Sequence, residues 1–89
     1  MAKAVKLYKI SKTNFMTGKV YTSRPLSVEE AVEYHSYTLE CGASYQHERG
    51  AKKINRKPTT IKSLVSNLNN ASANTNGGKE CYTFVEFCE

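Results

Sequence analysis

Eighty-nine residues at 10.0 kDa make one small domain, residues 1–89, and exclude a second hydrophobic core beside the first. Thirteen Lys and Arg against eight Asp and Glu leave a net charge of +5, and 39% of residues are apolar: a basic chain with a modest core and no run long enough for a transmembrane helix. The start has lysines but no apolar stretch behind them, so no export signal is visible, and three cysteines (Cys41, Cys81, Cys88) form no paired framework, which makes a reducing, intracellular setting the expectation.

Residues 4–11, with Val5, Leu7, Tyr8 and Ile10, read as a strand, and residues 19–23 (KVYTS) as a second. Asn14 early and Gly18 late in the intervening segment suit a short hairpin loop. Lys3, Lys6, Lys9 and Lys12 recur every third residue, which would line one face of a helix but must alternate between faces in a strand. The β-branched and aromatic content favours the strand. Ser27-Val28-Glu29-Glu30 matches a capping box, and a helix is predicted from there, with Val28, Ala31, Val32, His35, Leu39 and Ala43 on one buried stripe. Tyr34, Tyr37, Cys41 and Tyr45 follow a second line that reads as boundary packing, with rings buried and hydroxyls wet. His35 on the core stripe reads as a packed histidine with one ring nitrogen satisfied.

After Arg49-Gly50 comes a polar basic connection whose only large apolar residue is Ile54. Pro58 followed by Thr59 or Thr60 opens a second helix, in which Ile61, Leu64, Val65 and Leu68 hold the i, i+3, i+4, i+7 spacing of a buried face. ASANTNGG reads as a flexible polar connector and CYTFVEF as the last strand, apolar on both faces and so placed at the centre of the sheet. The predicted fold is α+β: order ββααβ, a three-stranded antiparallel sheet with two helices packed on one face. Such a sheet leaves two edges, and with CYTFVEF it leaves a homo-oligomer open.

The net charge hides alternating blocks. Residues 1–24 carry Lys3, Lys6, Lys9, Lys12, Lys19 and Arg24 and no acid, hence +6; residues 25–48 carry Glu29, Glu30, Glu33, Glu40 and Glu48 and no base, hence −5. Residues 49–62 return to +6 through Arg49, Lys52, Lys53, Arg56, Lys57 and Lys62. Blocks of one sign steer oppositely charged partners when the fold gathers them on one surface. No glycine loop has the spacing or the Lys-Ser/Thr of a phosphate-binding loop, and no cysteine pair has zinc-ligand spacing, so neither a cofactor nor a metal is expected.

The sharpest candidate site is RGAKKINRKPTTIK, residues 49–62. Arg49, Lys52, Lys53, Arg56, Lys57 and Lys62 can neutralise phosphates, Asn55 can bond a base or sugar, and Thr59, Thr60 and the helix amides behind them can meet a phosphate oxygen. Tyr45 and His47 precede the block as stacking partners for an unpaired base. The plainer reading is a solvated loop. The chain resembles, in size, charge and the segment AKKINRKPTTIKSLVSNLN, the small early accessory proteins of tailed phages, of the TifA type made by T-even phages. That resemblance implies a non-catalytic RNA-binding protein in the host cytoplasm that antagonises a ribonuclease toxin of the ToxN kind or another host defence protein. It carries over no individual site residue. Two other readings stay open: a protein-only inhibitor or adaptor docking on an acidic surface, and a small metal-independent ribonuclease built from His47, Glu48 and a lysine.

Overall fold

Asn14 starts the hairpin loop by accepting the amides of Met16 and Thr17 on its side-chain oxygen, and Gly18 closes it at φ 73°, a left-handed conformation that suits glycine. The computed structural model describes residues 6–87, so Lys3 and Cys88 lie outside the described residues. Strand β1 (Leu7–Asn14) pairs antiparallel with β2 (Val20–Thr22) on one side and with β3 (Glu80–Phe87) on the other, in the order β2-β1-β3. Helices α1 (Val28–Tyr34), α2 (Ser36–Ser44) and α3 (Ile61–Asn76) lie between β2 and β3 in the chain. The fold is the expected α+β architecture on a three-stranded antiparallel sheet, with the order ββαααβ because the first predicted helix is divided. Among the described residues no helix is long and apolar enough to cross a membrane.

The division falls at His35, whose φ of −99° and ψ of 11° make it the end of α1 and the start of α2 at once. Both halves of the capping box form: Ser27 Oγ accepts the Glu30 amide at 3.2 Å, and the Ser27 amide donates to the Glu30 carboxylate at 3.1 Å. Those bonds hold the Glu30 carboxyl below the usual carboxylate range. The predicted stripe survives the break, with Ala31, Leu39 and Ala43 buried and Val28 and Val32 packed against them.

Two expectations are overturned. The segment ASANTNGG is not a connector, since α3 continues to Asn76 and ends on Gly77 in the left-handed conformation. Weak helix formers persist there because their side chains have tertiary work. Ala71 is fully buried, Ser72 Oγ donates to the Glu80 carbonyl at 2.8 Å, and Asn74 Nδ2 donates to the carbonyls of Gly42 and Lys52. Strand β3 is at an edge, and β1 is central. One face of β3 sends Tyr82 and Phe84 to the helices, while the other leaves Val85 60% exposed and Phe87 under the Lys9 ammonium at 5.1 Å. Apolar residues on both faces of a strand therefore record one buried face and one open one. The outer edge of β3 is partly closed by α3: the Tyr82 amide donates to Asn69 Oδ1 at 2.7 Å, and Asn69 Nδ2 donates to the Tyr82 carbonyl at 3.0 Å.

Helices α2 and α3 cross where Gly42 meets Ala71. A Cβ placed on Gly42 would stand 2.6 Å from Ala71 Cα and closer still to Ala71 Cβ. Gly42→Ala, which would stabilise an isolated helix, is therefore expected to cost about 1–3 kcal/mol by overpacking. Urea unfolding measures it, and a variant as stable as the parent would contradict this packing.

Candidate nucleic-acid interface

The basic segment 49–62 has no regular structure before α3, yet its backbone is tied down by side chains of α3 and of Gln46, just past the end of α2. Asn74 of α3 accepts the Lys52 amide at 2.9 Å and donates to the Lys52 carbonyl at 2.8 Å, so one side-chain amide pairs with the main chain as a strand neighbour would. Gln46 accepts the Ile54 amide at 3.1 Å and Asn67 accepts the Asn55 amide at 2.7 Å. Ile54 and Pro58 are buried beneath the loop, which leaves the charged side chains between them facing water.

Arg49, Lys52, Lys53, Lys57 and Lys62 are exposed, and among the described residues none of them makes an ion pair. Arg56 does: its Nε donates to Glu40 Oε2 at 3.1 Å. Glu29, Glu33 and Glu40 line the same hollow as Arg56 and Lys57, so the acidic helices stand beside the basic loop. An exposed pair of this kind is worth about 0–1 kcal/mol, weak enough for a phosphate to compete. Asn55 Oδ1 accepts the Lys57 amide at 2.9 Å in an exposed local turn, so its Nδ2 is the group offered to a base or sugar. Thr60 is the residue that caps α3, accepting the Ser63 amide at 3.1 Å, while Thr59 is exposed.

Tyr45 comes together with Arg49 and Lys52 around a hollow of about 180 Å³; His47 is exposed and does not line it. Lys6, Lys9 and Lys12 of the hairpin are divided between different places, and of these three Lys6 borders the basic segment. Lys6 shares a groove with Pro58 and Thr59 and lies 3.9 Å from Glu86, Lys9 is on the open face of the sheet, and Lys12 is on the helix side, 3.3 Å from Glu80. Alternation along a strand, the objection raised by the three-residue spacing, is what separates Lys9 from Lys12.

A cleft of about 700 Å³ takes none of its lining from this loop; Lys12, Tyr21, Tyr34, His35, Tyr37 and Thr38 are among the residues that form it. Tyr34 and Tyr37 do not pack at a boundary as the helical line suggested: they are 66% and 79% exposed. The break at His35 takes their segment off a straight helix. Tyr21 joins them from β2 at 59% exposure, and no helical or strand periodicity marks it beforehand. His35 sits edge-on to the Tyr34 and Tyr82 rings, at centroid distances of 4.9 and 5.9 Å, and its Nε2 is buried with no hydrogen-bond partner. The ring is packed between aromatic neighbours as expected, and of its two nitrogens Nε2 is the one left without a partner. Comparison of the chain with protein families, curated proteins and solved structures found no match in any of the three.

Burial, and secondarily the Lys12 ammonium, push the His35 pKa below 6.5. The unfolded chain therefore takes up this proton at a higher pH than the folded one, so the contribution of His35 to stability is intact above its unfolded pKa and declines as pH falls below it. His35→Phe, which keeps an aromatic ring between Tyr34 and Tyr82, is expected to flatten the fall in melting temperature between neutral pH and about 5. Parallel pH profiles for parent and variant would count against the assignment.

Proposed function

We propose that this chain is a non-catalytic RNA-binding protein that grips the phosphate backbone with the loop at residues 49–62. The observation that carries the reading is a set of five exposed cations, Arg49, Lys52, Lys53, Lys57 and Lys62, without ion pairs among the described residues, four of them on a loop whose backbone Asn67, Asn74 and Gln46 hold in place. Cations carried on a backbone that is already held lose little loop freedom on binding a polyanion. Arg56 contributes by exchanging Glu40 for a phosphate. Tyr45, lining the same hollow as Arg49 and Lys52, supplies an aromatic face beside two of the phosphate contacts.

The resemblance to the TifA type extends this reading to antagonism of a host ribonuclease toxin or antiviral defence protein, acting in the host cytoplasm. RNA and that host enzyme would then be partners together. A pull-down with and without ribonuclease treatment tests the extension: a host ribonuclease retained only while RNA is intact supports it, and retention of RNA with no host protein limits the chain to RNA binding.

The interface itself is tested by charge reversal. Lys52→Glu with Lys53→Glu is expected to abolish the gel shift of a single-stranded RNA without unfolding the domain, because both side chains are exposed. For the parent, three to five phosphate contacts give a slope of log K against log salt of roughly −2 to −3.5. Retention that survives the double reversal would sink this interface. RNA that shortens during long incubation with the purified domain would replace the reading with the nuclease one.

A further inference from the structure

The tyrosine cleft has features that neither folding nor the basic loop explains. Burying an aromatic ring is among the largest gains available to a small domain, yet Tyr21, Tyr34 and Tyr37 are 59%, 66% and 79% exposed around one concavity. Single exposed aromatics are ordinary, but three converging from β2, α1 and α2 are not. Their faces are largely unused. Among the described residues, the ring contact of Tyr34 is with the edge-on His35, the cation over Tyr21 is the Lys12 ammonium at 5.8 Å, and Tyr37 has no ring or cation in range. A second, independent sign is His35 Nε2 on the same wall, the one buried side-chain nitrogen or oxygen among the described residues that lacks a hydrogen-bond partner. Such exceptions call for a specific cause, and a functional pocket is one.

The lining selects the occupant. Ile10 is the only aliphatic residue among those that line the cleft; the rest are aromatic faces, hydroxyls such as Thr38, His35 and Lys12. An apolar peptide anchor would want aliphatic walls. A methylated or quaternary cation, which aromatic cages suit, would have to compete with Lys12, whose ammonium already lies over the Tyr21 ring. A planar ring with polar edges fits both the tyrosine faces and the hydroxyls, and the net charge of +5 favours one carried on a polyanion.

We propose that the Tyr21–Tyr34–Tyr37 cleft stacks one unpaired nucleobase of a single-stranded RNA, with Tyr34 and Tyr37 as the platform and Lys12 fixing the Tyr21 ring opposite. This rests on the RNA-binding reading and adds to it a second contact, built from none of the phosphate-gripping residues and selective for unpaired over paired strands.

Fluorescence anisotropy with a short mixed-sequence single-stranded oligoribonucleotide, and with its blunt duplex, tests both readings. Tyr37→Ala and Tyr34→Ala, each at an exposed position and each checked for a parental circular dichroism spectrum, are expected to weaken single-strand binding by about 5- to 100-fold. Duplex affinity should stay unchanged, as should the salt slope, since no phosphate contact is removed. Tyr37→Phe keeps the face and should bind as the parent does. Single-strand binding at the parental level in both alanine variants, while Lys52→Glu with Lys53→Glu loses it, would overturn the cleft and leave the loop standing. Equal loss of single strand and duplex would also overturn it, because stacking discriminates between them. Parent protein that retains neither oligonucleotide would overturn both readings together.

Discussion

The structure hangs on side-chain amides of α3 that pair with main chain elsewhere. Asn69 closes both backbone groups of Tyr82 at the sheet edge, Asn74 closes both of Lys52 and reaches the Gly42 carbonyl, and Asn67 holds the Asn55 amide. An asparagine side chain is chemically a peptide group on a short tether, so each of these does what a strand neighbour would do at places where no strand can run. A domain of this size cannot add another layer to cover its loop and its edge. A helix studded with amides serves both. The close approach of Gly42 to Ala71 makes this possible, because it brings α2 near enough for Asn74 to reach across.

That arrangement explains which parts of the fold were legible beforehand. Ser27-x-x-Glu30 and the spacing of Ile61, Leu64, Val65 and Leu68 are local signals, set by hydrogen-bond geometry within one turn or by a single buried face, and the structure follows both. The second half of α3 is not local. Asn, Ser and Thr compete with the helix through their own side chains, so ASANTN reads as coil until those side chains are given partners on Gly42, Lys52 and Glu80. The place of β3 was hidden for a related reason, since period-two apolar content cannot distinguish a face against helices from a face left open under Lys9.

The candidate interface was legible as composition and illegible as geometry. Six cations in fourteen residues mark a basic segment in any fold. That Glu40 would pair with Arg56, that Asn55 would turn its oxygen to Lys57, and that Tyr45 would join Arg49 and Lys52 while His47 would not, all depend on where α2 ends relative to the loop. The tyrosines at 34 and 37 were visible as a helical line but misplaced, because no pattern in the chain announces the break at His35. Acidic and basic blocks that alternate along the sequence are folded into neighbours: Glu29, Glu33 and Glu40 share one hollow with Arg56 and Lys57, and Glu48 shares another with Arg49 and Lys52.

The tethered loop also changes when its order is established. A free basic segment would stay a broad ensemble until a partner arrived and would collapse only at the moment of contact, with a large unfavourable entropy then. Here the amides of Lys52, Ile54 and Asn55 are already engaged, and that loss of freedom falls on folding. Those three amide protons are consequently tied to the rigid body and should exchange with solvent through the same global opening as those of α3, although no secondary structure protects them.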